Sequence, residues 1–511
     1  MNRKTLFVAA LPLVSAIALP ASAAVKLATP FADGMVLQRD AKTAVFGTAD
    51  VGEKVTVSFA GQTVETTAGA DGKWLVRLSP MSASKEGRVL SANDVKIKDV
   101  LVGEVWYCCG QSNTELPVTG DNPHFRDREG LLFSAITNLK FIRYVNASNY
   151  RWSAEPREEA KYSVNWRTFT PENLGRSPSF SAMGAYFAVA LYNALDIPIG
   201  IVGSYWGGTN IDAWTPREGY EGAPEELRYT YEYPVVAGDK WTDACKKGPI
   251  GGPHQQPTVL WNEMVAPWCP MTMKGFIWYQ GCHNSGEPQF YCAKMHALYN
   301  GWAKKFENPG LKLYFVQLAP FSRTWWDIQL AQAKFAAEEE NAGMVVSADV
   351  GNSFDIHPTD KGPLGRRLAA LALNRDYGFA KLVADSPTIR EVRANGDQLV
   401  LSFDHADGWY VYSADWSIEV PFEIAGDDGE YHAARIVNAN GGAEKTIAWR
   451  TNGGVEGRNL ILKAEGVLAP KKVRYLHNSP WIGNVFAISG LPLGPFEASV
   501  LAATEACDGA K

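Results

Sequence analysis

The chain has 511 residues, of which 46% are hydrophobic and 20% are charged, and its formal net charge is -6. These values are ordinary for a globular protein with a sizeable core, and the length suggests about two to four domains. The acidic balance and the lack of a long basic run argue against nucleic acid or an anionic membrane surface as a partner.

The N-terminus has the pattern of an export signal. Asn2-Arg3-Lys4 provides a positive start, residues 6–19 form an apolar run, and Ala21-Ser22-Ala23 provides a small-residue cleavage site. We therefore expect residues 1–23 to be a signal peptide and the mature protein to be periplasmic or secreted. The later apolar region 183–205 is interrupted by polar residues and a proline, so we expect no membrane span.

Residues 24–97 are predicted to form an N-terminal β domain. Short runs of alternating polarity at 43–47, 54–59 and 73–77 are separated by Gly and Asp-Gly turns, as in a small β-sandwich. We interpret this region as a packing or spacer domain.

Residues 98–380 are predicted to form an α/β catalytic domain, because strands alternate there with helical patterns. Such alternation is typical of a parallel sheet covered by helices on both faces. The predicted strands are 102–108, 139–145, 199–205, 275–279, 313–317 and 344–348. The predicted helices are 180–195, 326–340 and 362–374.

Two further regions complete the organisation. The segment 218–257 is rich in Gly, Pro and charged residues and is predicted to be a long surface excursion. Residues 381–511 return to β patterns, with strands expected at 398–403, 460–463 and 473–476, and are predicted to form a C-terminal β domain like a second sandwich.

Unusual polar sequences follow several of the predicted parallel strands. Ligands of an open parallel sheet bind beyond the carboxyl ends of its strands, so these sequences should meet at one edge. They occupy residues 110–113, 207–210, 280–284 and 355–357. Their common placement indicates an enzyme.

These sequences contain the groups that acyl transfer requires. Ser112 lies on a tight turn after a strand and can attack a carbonyl if His357 removes its proton, while Asp355 can orient the imidazole. The N–H groups of Ser112 and Gly208 and the side-chain amide of Asn284 are predicted to stabilise the oxyanion.

Each of these features also has a structural explanation when it is taken alone. A Gly-Gly pair is commonly only a turn, His357 can be a helix-entry residue with Asp355 as a local cap, and Asn284 can be a turn residue. We assign the neighbouring amides Gln111 and Gln280 to substrate binding.

The cysteines do not indicate a metal site. The 7 Cys are an odd set, so at least one is unpaired within the chain, and Cys245–Cys269 and Cys282–Cys292 are both compatible pairs. Cys282 and His283 are neighbours on one loop and form a poor ligand pair. We predict no metal and no other cofactor.

Four sequence blocks resemble those of SGNH-type esterases, and more specifically those of the sialate O-acetylesterases. The similarity covers almost the whole mature chain, and its blocks are Gly110-Gln-Ser-Asn113, Trp206-Gly-Gly-Thr209, Trp278-Tyr-Gln-Gly281 with Asn284, and Asp355-Ile-His-Pro358. The resemblance implies a flavodoxin-like three-layer α/β domain and a Ser–His–Asp mechanism without metal. It also implies removal of O-acetyl groups from sugars, such as the 9-position of sialic acid.

Mapped by block, the resemblance makes Ser112 the nucleophile, places Gly208 and Asn284 at the oxyanion, and completes the triad with His357 and Asp355. The third block departs from the family pattern Gln-Gly-Glu-Ser-Asn, since a Cys-His pair replaces Glu-Ser before Asn284. A carboxylate is thereby lost and an imidazole gained, which we expect to act on substrate choice or on the local pKa pattern.

We therefore predict a serine carbohydrate O-acetylesterase that releases acetate from an O-acetylated glycan, sialic acid in particular, through an acetyl-enzyme. One alternative is an acetylesterase acting on another polysaccharide such as acetylxylan. An alternative from another class is a non-catalytic glycan-binding protein. The oligomeric state and the preferred acetylated position are left open by the sequence.

Overall fold

The computed structural model describes residues 25–176, 179–242, 250–322, 325–411, 421–438, 455–477 and 482–500. The predicted signal peptide and Cys245 lie outside these residues. Within the described part of the chain, no helix is both long enough and apolar enough to cross a bilayer.

From residue 25 onwards, eight strands precede the first described helix, and the predicted strands at 43–47, 54–59 and 73–77 are confirmed. The bounds are Lys26–Leu27 (β1), Val36–Gln38 (β2), Thr43–Thr48 (β3), Lys54–Phe59 (β4), Gln62–Thr67 (β5), Lys73–Leu78 (β6), Ser84–Ala92 (β7) and Val95–Gly110 (β8). Strands β1, β3 and β6 form one sheet, whereas β5, β4 and β7 lead antiparallel into β8. Since β8 continues across residue 98, the proposed domain division stays a prediction.

The middle region alternates helices and strands, which confirms a mixed α/β organisation. Its elements are Ser112–Glu115 (α1), Gly130–Ile136 (α2), Leu139–Asn146 (β9), Arg167–Phe169 (β10), Pro171–Leu174 (α3), Ala182–Leu195 (α4), Ile199–Tyr205 (β11), Arg228–Tyr231 (α5), Gly275–Tyr279 (β12), Pro288–Lys305 (α6), Lys312–Val316 (β13), Trp326–Glu338 (α7), Ala342–Val345 (β14) and Gly362–Asp376 (α8). Every strand and helix predicted for this region overlaps an observed element.

The order in which the chain adds strands to the central sheet reverses beside β8. Strands β9, β11, β8, β12, β13 and β14 lie side by side in that order and run parallel, with β10 antiparallel at one edge. From β8 the chain passes through β9 and β10 to β11 on one side, and it continues through β12, β13 and β14 on the other. Helix α4 packs with α8, and α6 packs with α7.

The strands around this reversal end at the same level. Tyr205 of β11 and Tyr279 of β12 both pair with Gly110, the last residue of β8. Strand β8 is buried from Val100 to Gly110, as expected for a central parallel strand. The segments that leave β11, β8 and β12 therefore meet beside the crevice where an open sheet binds its ligand.

The C-terminal region forms two antiparallel sheets. Its strands are Thr388–Asn395 (β15), Gln398–Asp404 (β16), Gly408–Val411 (β17), Phe422–Ala425 (β18), Tyr431–Ile436 (β19), Val455–Glu456 (β20), Asn459–Ala464 (β21), Lys472–Tyr475 (β22), Val485–Ala487 (β23) and Phe496–Ser499 (β24). The larger sheet has the order β15-β16-β21-β19-β18-β22-β24, and the smaller has β20-β17-β23. Both contribute to one hydrophobic core, for example through Leu401 and Trp409.

Three sequence expectations differ from the structure. Helix α6 was not predicted, although it begins at Pro288 and ends with two lysines, both typical helix signals. The prediction of 218–257 as a surface excursion is wrong at its ends, because Tyr220 and Gln255 are buried. The possible pair Cys282–Cys292 is not formed, since both thiols are free.

Candidate active site

The structure brings the predicted serine, histidine and aspartate together. The Nε2 atom of His357 lies 2.9 Å from Ser112 Oγ, and its Nδ1 lies 3.5 Å from Asp355 Oδ1. The same Asp355 oxygen accepts the backbone N–H of His357 at 2.8 Å. The Ser–His contact has hydrogen-bond length, whereas the His–Asp contact is longer, as often occurs before substrate binds.

The environment of His357 favours its neutral form. Burial lowers the pKa of His357 below its usual value, and Lys361 acts in the same direction, while Asp355 opposes both. Phe125 contacts the imidazole edge-on, with ring centroids 5.1 Å apart. The neutral ring, which this environment favours, can accept the proton of Ser112.

The turn before Ser112 requires glycine. Gly110 has φ +142°, and a Cβ there would lie 2.4 Å from the Tyr279 carbonyl oxygen and 2.5 Å from the Thr114 hydroxyl. Gln111 donates its backbone N–H to the same Tyr279 carbonyl at 3.2 Å. The serine turn is thus tied to the end of β12, which fixes the position of the Ser112 side chain.

Asn113 connects the serine turn to the loop that carries His357. Its Nδ2 donates to the Ile356 carbonyl at 2.9 Å, and its Oδ1 accepts from Lys361 Nζ at 2.6 Å. Lys361 is completely buried, and burial lowers its pKa to about 7. Asn113 belongs to the first sequence block, but no motif marks Lys361, which the sequence analysis did not identify.

Two backbone N–H groups are available beside the serine. Within the described residues, neither the Ser112 N–H nor the Gly208 N–H donates to a protein acceptor. Gly208 has φ +70° and open space beside its Cα. The neighbouring Gly207 N–H donates to Glu115 Oε2 at 2.8 Å, and Gln255 Nε2 donates to the Gly208 carbonyl at 2.7 Å. Glu115 and Gln255 thus fix this turn, a role that the sequence did not reveal.

The side chain of Asn284 is buried and saturated with hydrogen bonds. Its Oδ1 accepts from Gln280 Nε2 at 2.7 Å and from the Ile211 N–H at 3.0 Å. Its Nδ2 donates to Glu287 Oε1 at 2.7 Å and faces Asp212 Oδ2 at 3.4 Å. Both N–H groups of this amide therefore have carboxylate partners in this structure. The oxyanion role of Asn284 stays a prediction.

A buried lysine completes the network around Asn284. Lys294 Nζ lies 2.9 Å from Asp212 Oδ2 and 2.6 Å from Glu287 Oε1, and its side chain is 3% exposed. Burial lowers the pKa of Lys294, but the two carboxylates outweigh it, so that the pKa is raised. We define Gln280, Asn284, Glu287, Asp212 and Lys294 as the third-block network.

The two glutamines assigned to substrate binding have protein partners. Gln111 Oε1 accepts the Gly281 N–H at 3.2 Å, and Gln280 Nε2 also donates to the Thr209 carbonyl at 3.0 Å. Both side chains are buried. Their contact with substrate stays a prediction.

An aromatic group borders the nucleophile. Trp206 stacks on His254, with ring centroids 4.7 Å apart, and meets the ring of Tyr150 edge-on at 5.7 Å. Gly207 follows Trp206, and a Cβ on it would lie 3.2 Å from Ser112 Cβ. Burial lowers the pKa of His254, and the imidazole of His283 lowers it further. The imidazole gained in the third block thus acts on this aromatic group.

Comparison with known proteins agrees with these features. The sequence profile of a family described as carbohydrate esterase, sialic acid-specific acetylesterase, matches residues 102–374. A sialate O-acetylesterase from Rattus norvegicus is 28% identical over 431 residues, which cover 72% of this chain and 77% of the relative. The sialate O-acetylesterase of Homo sapiens is 27% identical over 433 residues, covering 76% and 78%.

A solved structure is similar over almost the whole chain. A carbohydrate acetylesterase from Xanthomonas citri superimposes with a TM-score of 0.76 at 29% sequence identity, covering 93% of this chain and 99% of the other. The protein is therefore a carboxylic ester hydrolase that acts as a carbohydrate O-acetylesterase. It belongs to the carbohydrate esterase family of the sialic acid-specific acetylesterases.

Proposed function

We propose that Ser112 is the nucleophile with which this enzyme removes O-acetyl groups from sialic acid. The observation that carries the proposal is the 2.9 Å contact between Ser112 Oγ and His357 Nε2. In this scheme His357 accepts the serine proton as Oγ attacks the acetyl carbonyl, and Asp355 stabilises the imidazolium that forms. The protonated His357 then donates its proton to the departing sugar oxygen.

The second half of the reaction uses the same groups in reverse. Water, deprotonated by His357, attacks the acetyl-enzyme and releases acetate and free Ser112. The N–H groups of Ser112 and Gly208 are the oxyanion donors that we favour, because both are without a protein acceptor among the described residues. Donors of this kind contribute about 3 kcal/mol each to the transition state.

The choice of sialic acid as the acceptor rests on the relatives and on the border of the site. The curated relatives are named sialate O-acetylesterases. Trp206, stacked on His254 beside the nucleophile, provides an apolar face against which a sugar ring can pack.

The finer architecture forms part of the proposal. Without β9, the parallel strands β11, β8, β12, β13 and β14 have the order 2-1-3-4-5, which supports a flavodoxin-like three-layer domain. We place β-sandwich-like domains on either side of it. The pattern of residues 1–23 supports export to the periplasm or the medium.

The test is acetate release by the purified protein from O-acetylated sialoglycans and from acetylated xylan, compared between wild type and Ser112→Ala. We expect release from the sialoglycan that the substitution abolishes. An exposed serine of the third-block loop provides the control, because Ser285→Ala should retain wild-type activity.

Three outcomes would count against the proposal in different ways. Release from xylan alone would keep the mechanism and replace the substrate. A wild-type rate in Ser112→Ala would remove Ser112 as nucleophile. No release from either substrate or from a simple acetyl ester would favour a glycan-binding protein.

A further inference from the structure

Three side chains of types that can bind metals lie close together between α6 and α7, outside the triad. Cys292 and His296 lie one turn apart on α6, and Glu338 is the last residue of α7. Glu338 Oε2 lies 3.4 Å from Cys292 Sγ and 3.1 Å from His296 Nε2. The three donor atoms all lie within 4.8 Å of one another. We define these residues as the α6–α7 cluster.

The spacing of the cluster fits one small tetrahedral cation. Bonds of about 2.0–2.3 Å from zinc to nitrogen, oxygen and sulfur place neighbouring ligand atoms about 3.3–3.6 Å apart in a tetrahedron. The two distances that involve Glu338 are already close to these values. The donor atoms of Cys292 and His296 lie within 4.8 Å of each other, and both side chains project from the same helix face.

The donor types select the kind of metal. Thiolate and imidazole are ligands of zinc, whereas calcium and magnesium require oxygen ligands.

The cluster is both held in place and open to solvent. The ring of Phe335 contacts the His296 imidazole edge-on, with centroids 4.8 Å apart. Glu338 directs its other oxygen, Oε1, towards Lys334 Nζ at 3.8 Å, so Oε2 is left for the metal. Cys292 is buried, whereas the side chains of His296 and Glu338 are 31% and 44% exposed. Water can therefore reach the site and serve as the fourth ligand.

We propose that Cys292, His296 and Glu338 bind one Zn²⁺ ion that joins α6 to α7. Both helices support the third block from behind. Tyr291, adjacent to Cys292, donates its hydroxyl to the Gln280 carbonyl at 2.9 Å, and Gln332 of α7 donates to the same carbonyl at 3.2 Å. The ion stabilises this helix pair, and no ligand touches the triad, so its effect is on stability rather than on catalysis.

The test is calorimetric titration of the chelator-treated, full-length protein with Zn²⁺ alone. We expect one equivalent to bind and to raise the melting temperature, because a ligand that binds the folded state stabilises it. Co²⁺ in place of Zn²⁺ should add a thiolate charge-transfer band in the near ultraviolet. Hydrolysis of a simple acetyl ester should be unchanged by chelator or by Zn²⁺.

Variants identify the ligands. Glu338→Gln changes an exposed side chain and should fold normally. It should weaken Zn²⁺ binding at least about tenfold, because loss of a group that only supports a ligand typically costs about 10–100-fold. Cys292→Ser should remove the Co²⁺ charge-transfer band. The matched controls Cys269→Ser and His405→Gln change a free cysteine and an exposed histidine elsewhere, and they should bind as wild type does.

Either of two results would overturn the proposal. One is a wild-type protein that binds no equivalent of Zn²⁺ at micromolar concentration. The other is binding that Glu338→Gln and Cys292→Ser leave unchanged. Both readouts are independent of ester hydrolysis, so failure of the metal site and failure of the proposed mechanism are distinguishable.

Discussion

The serine turn and the third-block network lie side by side at the edge of one sheet, yet they differ in how many of their polar atoms are hydrogen-bonded within the protein. At the serine turn, the His357 and Asp355 side chains are 26% and 30% exposed, and two N–H groups lack a protein acceptor among the described residues. In the network, Asn284 is buried and every donor and acceptor of its amide is used.

We propose that this difference separates residues that react from residues that hold them. A reacting group must keep a hydrogen-bonding position free for substrate, and preorganised donors stabilise charge only if nothing else occupies them. A buried polar group without partners costs about 1–3 kcal/mol, so a supporting network has to be complete. A shared motif block therefore does not imply a shared role.

The substitution with the largest expected effect should remove catalysis and leave stability intact. His357→Gln removes the base but keeps a side chain of similar size, so kcat should fall by about 10⁴-fold or more, as when a triad member is lost. The free energy of unfolding should change little, because His357 is partly exposed. Acetate release and urea unfolding, measured on one preparation, test both statements.

The histidine at position 405 provides the matched control. It is exposed and lies outside the site, so His405→Gln should leave both measurements at their wild-type values. A His357→Gln enzyme with a rate within tenfold of wild type would contradict the assignment of the base.

The second prediction concerns the stability that the third-block network contributes. Lys294→Ala leaves the buried carboxylate of Asp212 and the partly buried carboxylate of Glu287 without their cation, and removal of one member of a buried ion pair costs about 3–5 kcal/mol. We expect a fall of that size in the free energy of unfolding, measured in urea at neutral pH.

The same helix offers the control. Lys304 pairs with Glu221 at 2.6 Å, but both side chains are more than half exposed. Lys304→Ala should therefore cost only about 0–1 kcal/mol. Equal losses for the two lysines would mean that burial of the network does not determine its contribution.

The third prediction sharpens the comparison at Asn284. As a supporting residue, Asn284→Ala should lower the free energy of unfolding by about 2–3 kcal/mol, because its partners lose hydrogen bonds in a buried site. It should leave kcat within about tenfold of wild type. Loss of an oxyanion donor would instead lower kcat by about 10²–10³-fold with little loss of stability. Stopped-flow or steady-state kcat at a temperature well below the melting point distinguishes the two roles.

Much of the fold could be predicted because the central strands are buried on both faces. Strands β11 and β12 have the predicted bounds, since each is a mostly apolar run that is buried along its whole length. Strand β8 begins seven residues before its predicted start at 102, because its first part alternates in burial before it enters the central sheet. Helix α6 was missed for a related reason. It is buried on more than one side and carries Lys294 inward, which obscures the amphipathic pattern.

The residues that we propose to react have local signals in the sequence, but the residues that hold them do not. Ser112 and His357 lie in short turns with local signals and in blocks that resemble a known family. Lys361 and Gln255 act on partners that are distant in sequence, namely Asn113 and the Gly208 carbonyl. Such contacts depend on the packing of whole elements, and no local spacing encodes them.

The substitution with the smallest expected effect tests how the supporting residue Lys361 acts on His357. Lys361 lowers the pKa of His357, and because its own pKa is about 7, Lys361 is charged in the acidic range where His357 titrates. Lys361→Met should therefore raise the pKa of His357. Since kcat/KM falls as His357 becomes protonated, the acid limb of its pH profile should move to higher pH.

The direction of this shift separates an electrostatic role from a structural one. Loss of the hydrogen bond to Asn113 alone would lower kcat/KM at every pH and leave the acid limb in place. Lys381→Met, which changes an exposed lysine, should leave both the rate and the profile unchanged. An acid limb that stays in place or moves to lower pH in Lys361→Met would show that the buried ammonium does not set the protonation of the base. Lys361 would then support the site only through Asn113, in the way that Lys294 supports the third block.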